Sequence, residues 1–280
     1  MKIIIHGGFF SESSTDAETK KAKQDALVSI VKQSYEYLKT HSALQTVAYA
    51  VSLLENDALF NAGIGSQIQS DGNIRMSASI MDGVSKKMSG VINIENVKNP
   101  ILVAEKLLEV DDRILGGEGA TDFARKNGFE YFSTEIPQRR EEYLAKLKSN
   151  RTGTVGCVAL DKNGKIAVAT STGGKGFEIV GRISDSATVA GNFANEICGV
   201  SCTGVGEDIV SGAVAAKIVT RVTDGFSLKD AFAKTFNELK PFDGFAGAIA
   251  IDKDGSIYHQ DSHPKMVFAS FDGKNTKVFE

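Results

Sequence analysis

Two stretches of this chain follow one plan, and together they set the fold class. Val155 to Leu160 is apolar, Asp161-Lys162-Asn163-Gly164 has turn composition, and Lys165 to Thr170 is apolar again. Phe245 to Ile251, Asp252-Lys253-Asp254-Gly255 and Ser256 to His259 repeat the arrangement. Asn or Asp before Gly supplies the positive backbone angles a tight hairpin needs. Each stretch is therefore expected to be a β-hairpin, and the sheets to be mainly antiparallel.

Helical periodicity fills the remaining space. The polar segment Ser11 to Asp16 leads into a helix with Thr15 and Glu18 set as a capping box and Ala22, Ala26, Leu27, Ile30, Val31, Tyr35 and Leu38 on one face. Ser42 and Gln45 repeat the device before a second helix that buries Leu44, Val47, Ala48, Val51 and Leu54 and ends ahead of Asn61-Ala62-Gly63. Strand patterns at Asn73 to Met81 and Lys87 to Ile94 precede helices beginning near Pro100 and Ala120. Further helices, Glu207 to about Val222 and Leu228 to Leu239, separate the two hairpins. Helices that cover sheets on their outer faces imply an α+β chain in which two mainly antiparallel sheets pack as a four-layer αββα sandwich.

Composition narrows the partners. The chain has 280 residues, 42% of them hydrophobic, which suffices for a large core. Its 32 basic and 35 acidic residues are interspersed, so no nucleic-acid footprint is expected. No apolar run approaches about 18 residues, so no membrane span is expected, and a start directly on a strand pattern makes the cytoplasm the expected compartment. Cys157, Cys198 and Cys202 read as reduced core residues. Neither they nor His6, His41, His259 and His263 show a metal-ligand spacing. Gly63-x-Gly65 and Gly173-Gly174-Lys175-Gly176 complete no phosphate-binding string, which argues against a nucleotide-dependent transferase.

Chemistry concentrates at Thr154. Gly153 precedes it and the apolar run Val155-Gly156-Cys157-Val158-Ala159-Leu160 follows. Taken alone this is an ordinary buried strand. A threonine released at its nitrogen, however, carries its own general base, because an α-amino group titrates near pH 8 and a lysine side chain near 10.4. Nucleophile and base then share one residue. Downstream, Ala169-Thr170-Ser171-Thr172-Gly173-Gly174, Gly181-Arg182-Ile183-Ser184-Asp185-Ser186 and Ser201-Cys202-Thr203-Gly204-Val205-Gly206-Glu207 interrupt the apolar strands with polar clusters.

This ordered set resembles the plant-type asparaginases and isoaspartyl peptidases, N-terminal-nucleophile hydrolases that mature by cutting before the catalytic threonine. Lys2-Ile3-Ile4-Ile5-His6-Gly7-Gly8, Leu59-Phe60-Asn61-Ala62-Gly63-Ile64-Gly65-Ser66, Ser79-Ile80-Met81-Asp82-Gly83 and Gly117-Glu118-Gly119-Ala120 extend the resemblance over nearly the whole chain. It implies the same αββα fold, one domain over residues 1–280, and self-cleavage between Gly153 and Thr154 into fragments 1–153 and 154–280. Thr172 would hold the Thr154 hydroxyl, Thr203 and Gly204 would donate to the oxyanion, and Asn61 would position a water or the threonine amine. Arg182 and Asp185 would clamp the α-carboxylate and α-ammonium of an amino-acid substrate, with Gly206 as a backbone contact. Read without the resemblance, Thr172 caps the Gly173-Gly174 turn, Thr203 caps a helix, Asn61 forms a turn, and Arg182 and Asp185 make a surface salt bridge.

The resemblance also implies a sodium ion held by the carbonyls of Leu54, Glu55, Asp57, Phe60, Ala62 and Ile64, no organic cofactor, and a homodimer of cleaved protomers. The expected reaction is hydrolysis of β-aspartyl dipeptides and L-asparagine to aspartate. The alternatives are a threonine endopeptidase of the same superfamily and a silent binding module that never cuts itself. Phe9 and Phe10 depart from the small residues that commonly follow His-Gly-Gly, and Lys175, Phe177 and Glu178 depart from the commonest form between Thr172 and Arg182. The segment Gly128 to Gly153, which is shorter than in many members, is expected to be a mobile, solvated connector; a charged surface helix from Gln138 to Lys148 is the other reading of part of it.

Overall fold

The computed structural model describes residues 1–9, 17–145, 153–263 and 265–280. The expectations for Phe10, Ser11 to Asp16 with the capping residue Thr15, and Lys146, Lys148, Asn150 and Arg151 fall outside these residues. The strands are β1 (Lys2–Phe9), β2 (Met76–Asp82), β3 (Met88–Ile94), β4 (Ile114–Gly116), β5 (Thr154–Leu160), β6 (Ile166–Thr172), β7 (Asn192–Ala194), β8 (Cys198–Gly204), β9 (Ala246–Asp252), β10 (Ile257–Asp261), β11 (Met266–Phe271) and β12 (Thr276–Val278). The helices are α1 (Ala17–Leu38), α2 (Ala43–Glu55), α3 (Pro100–Leu107), α4 (Gly117–Lys126), α5 (Pro137–Leu144), α6 (Gly206–Gly212), α7 (Val214–Thr223) and α8 (Leu228–Asn237).

The first sheet has eight strands in the order β12-β11-β1-β5-β6-β2-β3-β4, and the second has four in the order β10-β9-β8-β7. Every pairing is antiparallel except that of β3 with β4. The two expected hairpins form, but in different sheets: β5–β6 at the centre of the first and β9–β10 at the edge of the second. The sheets pack face to face through β1, β5 and β6 against β8 and β9, with α1, α2 and α3 outside one and α7 and α8 outside the other. This is the αββα sandwich.

Position in the sandwich explains the sequence patterns. β1 lies between helices and the second sheet, so Ile3, Ile4 and Ile5 are fully buried on both faces instead of alternating with polar residues. In β8, by contrast, Val200 and Cys202 join the apolar cluster under α7 and α8, while the intervening Ser201 faces the first sheet. Ser42 caps α2 in the anticipated box with Gln45, a device worth ~1 kcal/mol. Cys157, Cys198 and Cys202 are free thiols in the core.

Two expectations need correction. The helix read as continuous from Glu207 to Val222 is broken at Ala213, which takes a left-handed conformation at φ 47°. Gly212 packs so closely there that a side chain would strike Leu239. The segment after Gly128 is also more anchored than a solvated connector. Pro137 opens α5, and the buried Arg139 donates to the Gly65 carbonyl at 3.0 Å and pairs with Glu142 at 2.8 Å. Arg140 pairs with Glu135 and donates to the Gly72 carbonyl, while Tyr143 stacks on Phe177 with ring centres 5.2 Å apart. The charged helix thus exists over residues 137–144 and is fastened to the loops around residues 65–72 and 177.

Candidate active site

Thr154 opens β5 directly opposite Thr172, the last residue of β6, because the hairpin pairs the two in register. Their hydroxyl oxygens lie 3.3 Å apart, and both residues are buried. Thr172 Oγ1 also accepts the Gly174 N–H at 3.2 Å. Holding the Thr154 hydroxyl and capping the Gly173-Gly174 turn are therefore one arrangement, not alternatives. Thr154 is 5% exposed and follows Gly153 directly.

Asn61 packs against that junction: a β-carbon built on Gly153 would lie 2.8 Å from Asn61 Cβ. Its amide nitrogen donates to the Gly174 carbonyl at 2.5 Å and its oxygen accepts the Gln67 N–H at 3.1 Å. Both ends of the side chain thus bond backbone, and Asn61 braces the loop after Thr172.

Thr203 stands near the end of β8, fully buried, and its hydroxyl has no hydrogen-bond partner. The helix-cap reading fails, because α6 begins at Gly206 with Val205 as its cap and no side-chain cap bond. An unpartnered buried hydroxyl costs about 1–3 kcal/mol of desolvation, a cost a ligand oxygen would offset. Gly204, at φ 137°, adopts a conformation that favours glycine, and a β-carbon there would lie 2.5 Å from the Phe245 carbonyl.

Arg182, Asp185 and Gly206 converge. A β-carbon on Gly206 would lie 2.9 Å from both Arg182 Nη2 and Asp185 Oδ1, so a side chain there would have to push both groups aside. The turn bearing them is tied to the first sheet: Asn93 donates to the Arg182 carbonyl at 3.1 Å and Ser79 to the Ser186 carbonyl at 2.5 Å. The expected pairing is corrected in one respect. Arg182 does not bond Asp185 but lies across Glu207, Nε to Oε1 at 2.8 Å and Nη2 to Oε2 at 3.0 Å, and Lys175 reaches the same carboxylate at 3.2 Å. These bonds hold the Glu207 carboxyl down to about 2. Asp185 keeps a buried Oδ2 without a partner, and burial pushes its carboxyl up to about 7 against the pull of Arg182.

Three features escaped the sequence reading. Glu207 passed as a helix-start acid, yet it fills the Arg182 fork. His6 showed no metal-ligand spacing and was given no role, yet its Nδ1 lies 2.9 Å from the Thr154 carbonyl oxygen. Ser66, Gln67 and Glu178 carry buried polar atoms without partners around the Gly173 to Gly176 turn. Only the run Gly206-Glu207 beside Arg182 in motif order hinted at the first, the departure at Glu178 touched the third, and nothing local signalled the second.

The loop 54–64 folds tightly on itself. Asp57 N–H bonds the Leu54 carbonyl at 3.3 Å, Phe60 N–H that of Asp57 at 3.1 Å, and Ile64 N–H that of Glu55 at 2.7 Å. Gly63, at φ 53°, allows this, since a β-carbon would lie 2.3 Å from the Glu55 carbonyl oxygen. The Glu55 carboxylate turns inward, accepting from Ser171 at 2.7 Å, Ile101 N–H at 3.0 Å and Asn99 at 3.1 Å, and burial pushes it up to about 8. Among the described residues no cluster of His, Cys, Asp and Glu could hold a metal ion.

A protein-family model described as asparaginase, Asparaginase_2, matches residues 1–280. The chain is 44% identical to an "Isoaspartyl peptidase/L-asparaginase" of Synechocystis, with 97% of this chain and 88% of that protein covered. It is 37% identical to an "Isoaspartyl peptidase" of Escherichia coli, covering 91% and 88%, and 33% identical to a "Plant-type L-asparaginase" of Pyrococcus furiosus, covering 95% of each.

Proposed function

The chain belongs to the Asparaginase_2 family of hydrolases, and from that premise we propose that it hydrolyses β-aspartyl dipeptides and L-asparagine to L-aspartate after cutting itself between Gly153 and Thr154. The observation that carries this reading is the 3.3 Å approach of the Thr154 and Thr172 hydroxyls at a buried Gly–Thr junction.

In maturation, Thr154 Oγ attacks the Gly153 carbonyl carbon, the C–N bond breaks as the nitrogen takes a proton, and water hydrolyses the resulting ester. Glycine leaves the carbonyl sterically open. The freed amine then accepts the Thr154 hydroxyl proton while Oγ attacks the side-chain amide or isopeptide carbonyl of the substrate. Negative charge on the carbonyl oxygen meets the Thr203 hydroxyl and the Gly204 N–H. The proton passes to the leaving nitrogen, ammonia or an amino acid departs, and water releases aspartate from the acyl-enzyme. Every atom and proton balances without an organic cofactor.

Arg182 grips the substrate α-carboxylate and Asp185 its α-ammonium, with the Gly206 backbone alongside. Such a clamp needs free α-groups, which separates this reading from an endopeptidase. A β-Asp-Leu assay beside a folded-protein substrate tests it: aspartate released from the dipeptide alone supports the clamp, and proteolysis of the protein contradicts it. Absence of both activities, with a single uncut band on a denaturing gel, would leave a silent binding module.

Loop 54–64 would hold a sodium ion through the carbonyls of Leu54, Glu55, Asp57, Phe60, Ala62 and Ile64, since oxygen donors suit a hard cation. The ion would fix the loop carrying Asn61. The exposed Ile179, Val180, Ile183, Val189 and Val210 flank the clamp and α6, which supports a homodimer of cleaved protomers. Among the described residues no helix is long and apolar enough to cross a membrane; the free core thiols support a reducing cytoplasm.

A further inference from the structure

The backbone ladder between β1 and β5 ends at the pair His6 and Gly156, two residues short of Thr154. Beyond it the His6 side chain continues the contact, with Nδ1 2.9 Å from the Thr154 carbonyl oxygen. The other ring nitrogen, Nε2, lies 2.8 Å from Ser201 Oγ on β8. Ser201 Oγ is 2.7 Å from Thr170 Oγ1 on β6, which is 2.8 Å from the Asn192 amide on β7. All four residues are fully buried. The chain of bonds passes from the first sheet to the second, back, and across again. Gly156 makes room for it: a β-carbon there would lie 2.0 Å from Ser201 Oγ and 2.4 Å from His6 Nε2.

Counting protons fixes the direction of every bond. A carbonyl oxygen only accepts, so His6 carries its hydrogen on Nδ1. In the neutral ring Nε2 then accepts the single Ser201 proton. Thr170 must therefore donate to Ser201, and Asn192 must turn its amide nitrogen toward Thr170. The opposite amide orientation leaves that nitrogen buried without a partner. All donors point one way, toward the Thr154 carbonyl.

We propose that His6 is a positioning residue for Thr154, and that with Ser201 it ties the nucleophile to the strand carrying Thr203 so that amine, Oγ and oxyanion donor keep one geometry after the chain is cut. The proposal rests on the reading of Thr154 as nucleophile and Thr203 as oxyanion donor. Once the bond to Gly153 is gone, the carbonyl anchor and the link to Val155 set the orientation of the terminal residue. Ser201 and Thr203 lie two apart on β8 and so share a face. A buried hydrogen-bond network of this kind rigidifies what it joins.

The test combines kinetics with spectroscopy on the processed protein. In His6→Gln and Ser201→Ala, kcat for asparagine falls about a hundredfold with KM unchanged, as expected for a nucleophile displaced by an ångström or less. His6→Asn, whose amide nitrogen takes the place of Nδ1 but leaves nothing to reach Ser201, shows a loss like that of Ser201→Ala. Nitrogen-15 NMR of histidine-labelled wild-type protein finds Nδ1 protonated and Nε2 bare, a readout independent of how the variants fold. Protonation on Nε2, or folded His6→Gln and Ser201→Ala enzymes with wild-type kcat, would overturn the tie alone. A wild-type protein that neither cuts itself nor releases aspartate would overturn the functional reading beneath it as well.

Discussion

The guanidinium of Arg182 is engaged by Glu207 through two parallel hydrogen bonds of 2.8 and 3.0 Å, while Asp185, three residues from the arginine, keeps a buried oxygen without a partner. The proposed clamp is thus half filled from within and half waiting. A substrate carboxylate has to share or displace Glu207 to reach the fork. Glu207→Gln weakens that competitor while retaining one acceptor for Arg182. The KM for asparagine is expected to fall about fivefold, equivalent to on the order of 1 kcal/mol for a half-exposed pair, with kcat unchanged. Arg182→Lys, which loses the planar fork, should raise KM about tenfold or more. Steady-state kinetics of the two variants check both directions.

Asp185 gives the site a pH dependence whose sign follows from burial. Its carboxyl ionises near 7 in the folded chain instead of near 3.8. Below that point it is neutral and offers no charge to a substrate ammonium. KM should therefore fall as pH rises through about 7, and Asp185→Asn should raise KM and remove the dependence. Stability runs the other way. Because the folded value is raised, the unfolded chain gives up this proton first, so the contribution is present below about 4 and is lost by about 7. Denaturant melts of wild type and Asp185→Asn across that window isolate the contribution.

Thr203→Val separates activity from stability. Its hydroxyl has no partner in the free protein, so removing it breaks no bond and relieves a desolvation cost. The variant should be as stable as wild type or more so, while kcat falls about 10²- to 10³-fold, as for the loss of one oxyanion donor. Calorimetry and turnover on the same sample test the pair of outcomes.

Glu55→Gln tests the protonation of a buried carboxyl. Ser171, Ile101 and Asn99 converge on it and burial pushes it up to about 8, so at neutral pH it carries a proton and an amide is a close replacement. The denaturation midpoint at pH 7 should stay near that of wild type or above it, and the stability that wild type loses as pH rises from about 4.5 to about 8 should not be lost in the variant.

Much of this architecture could be read from local chemistry. The turns Asp161-Lys162-Asn163-Gly164 and Asp252-Lys253-Asp254-Gly255 dictate hairpins whatever surrounds them, and the Ser42–Gln45 box fixes the start of α2. The hydroxyls of Thr154 and Thr172 meet because one such hairpin sets their register. Relationships made by packing were not legible. The break at Ala213 lies beside Gly212, which packs close to Leu239, in a stretch whose periodicity reads as an unbroken helix. β4 is three residues long and pairs parallel, too short for any pattern. His6 and Ser201 are 195 positions apart, and their contact exists only because two sheets stack. The grip of Glu207 on Arg182 likewise depends on where α6 starts against a distant turn.

Self-cleavage is the claim on which the mechanism turns, and intact mass with N-terminal sequencing of catalytically active protein tests it most directly. Two fragments are expected, residues 1–153 and 154–280, with threonine at the new terminus, and none of this in an inactive Thr154→Ala variant. A protein that releases aspartate while its Gly153–Thr154 bond is whole would contradict it.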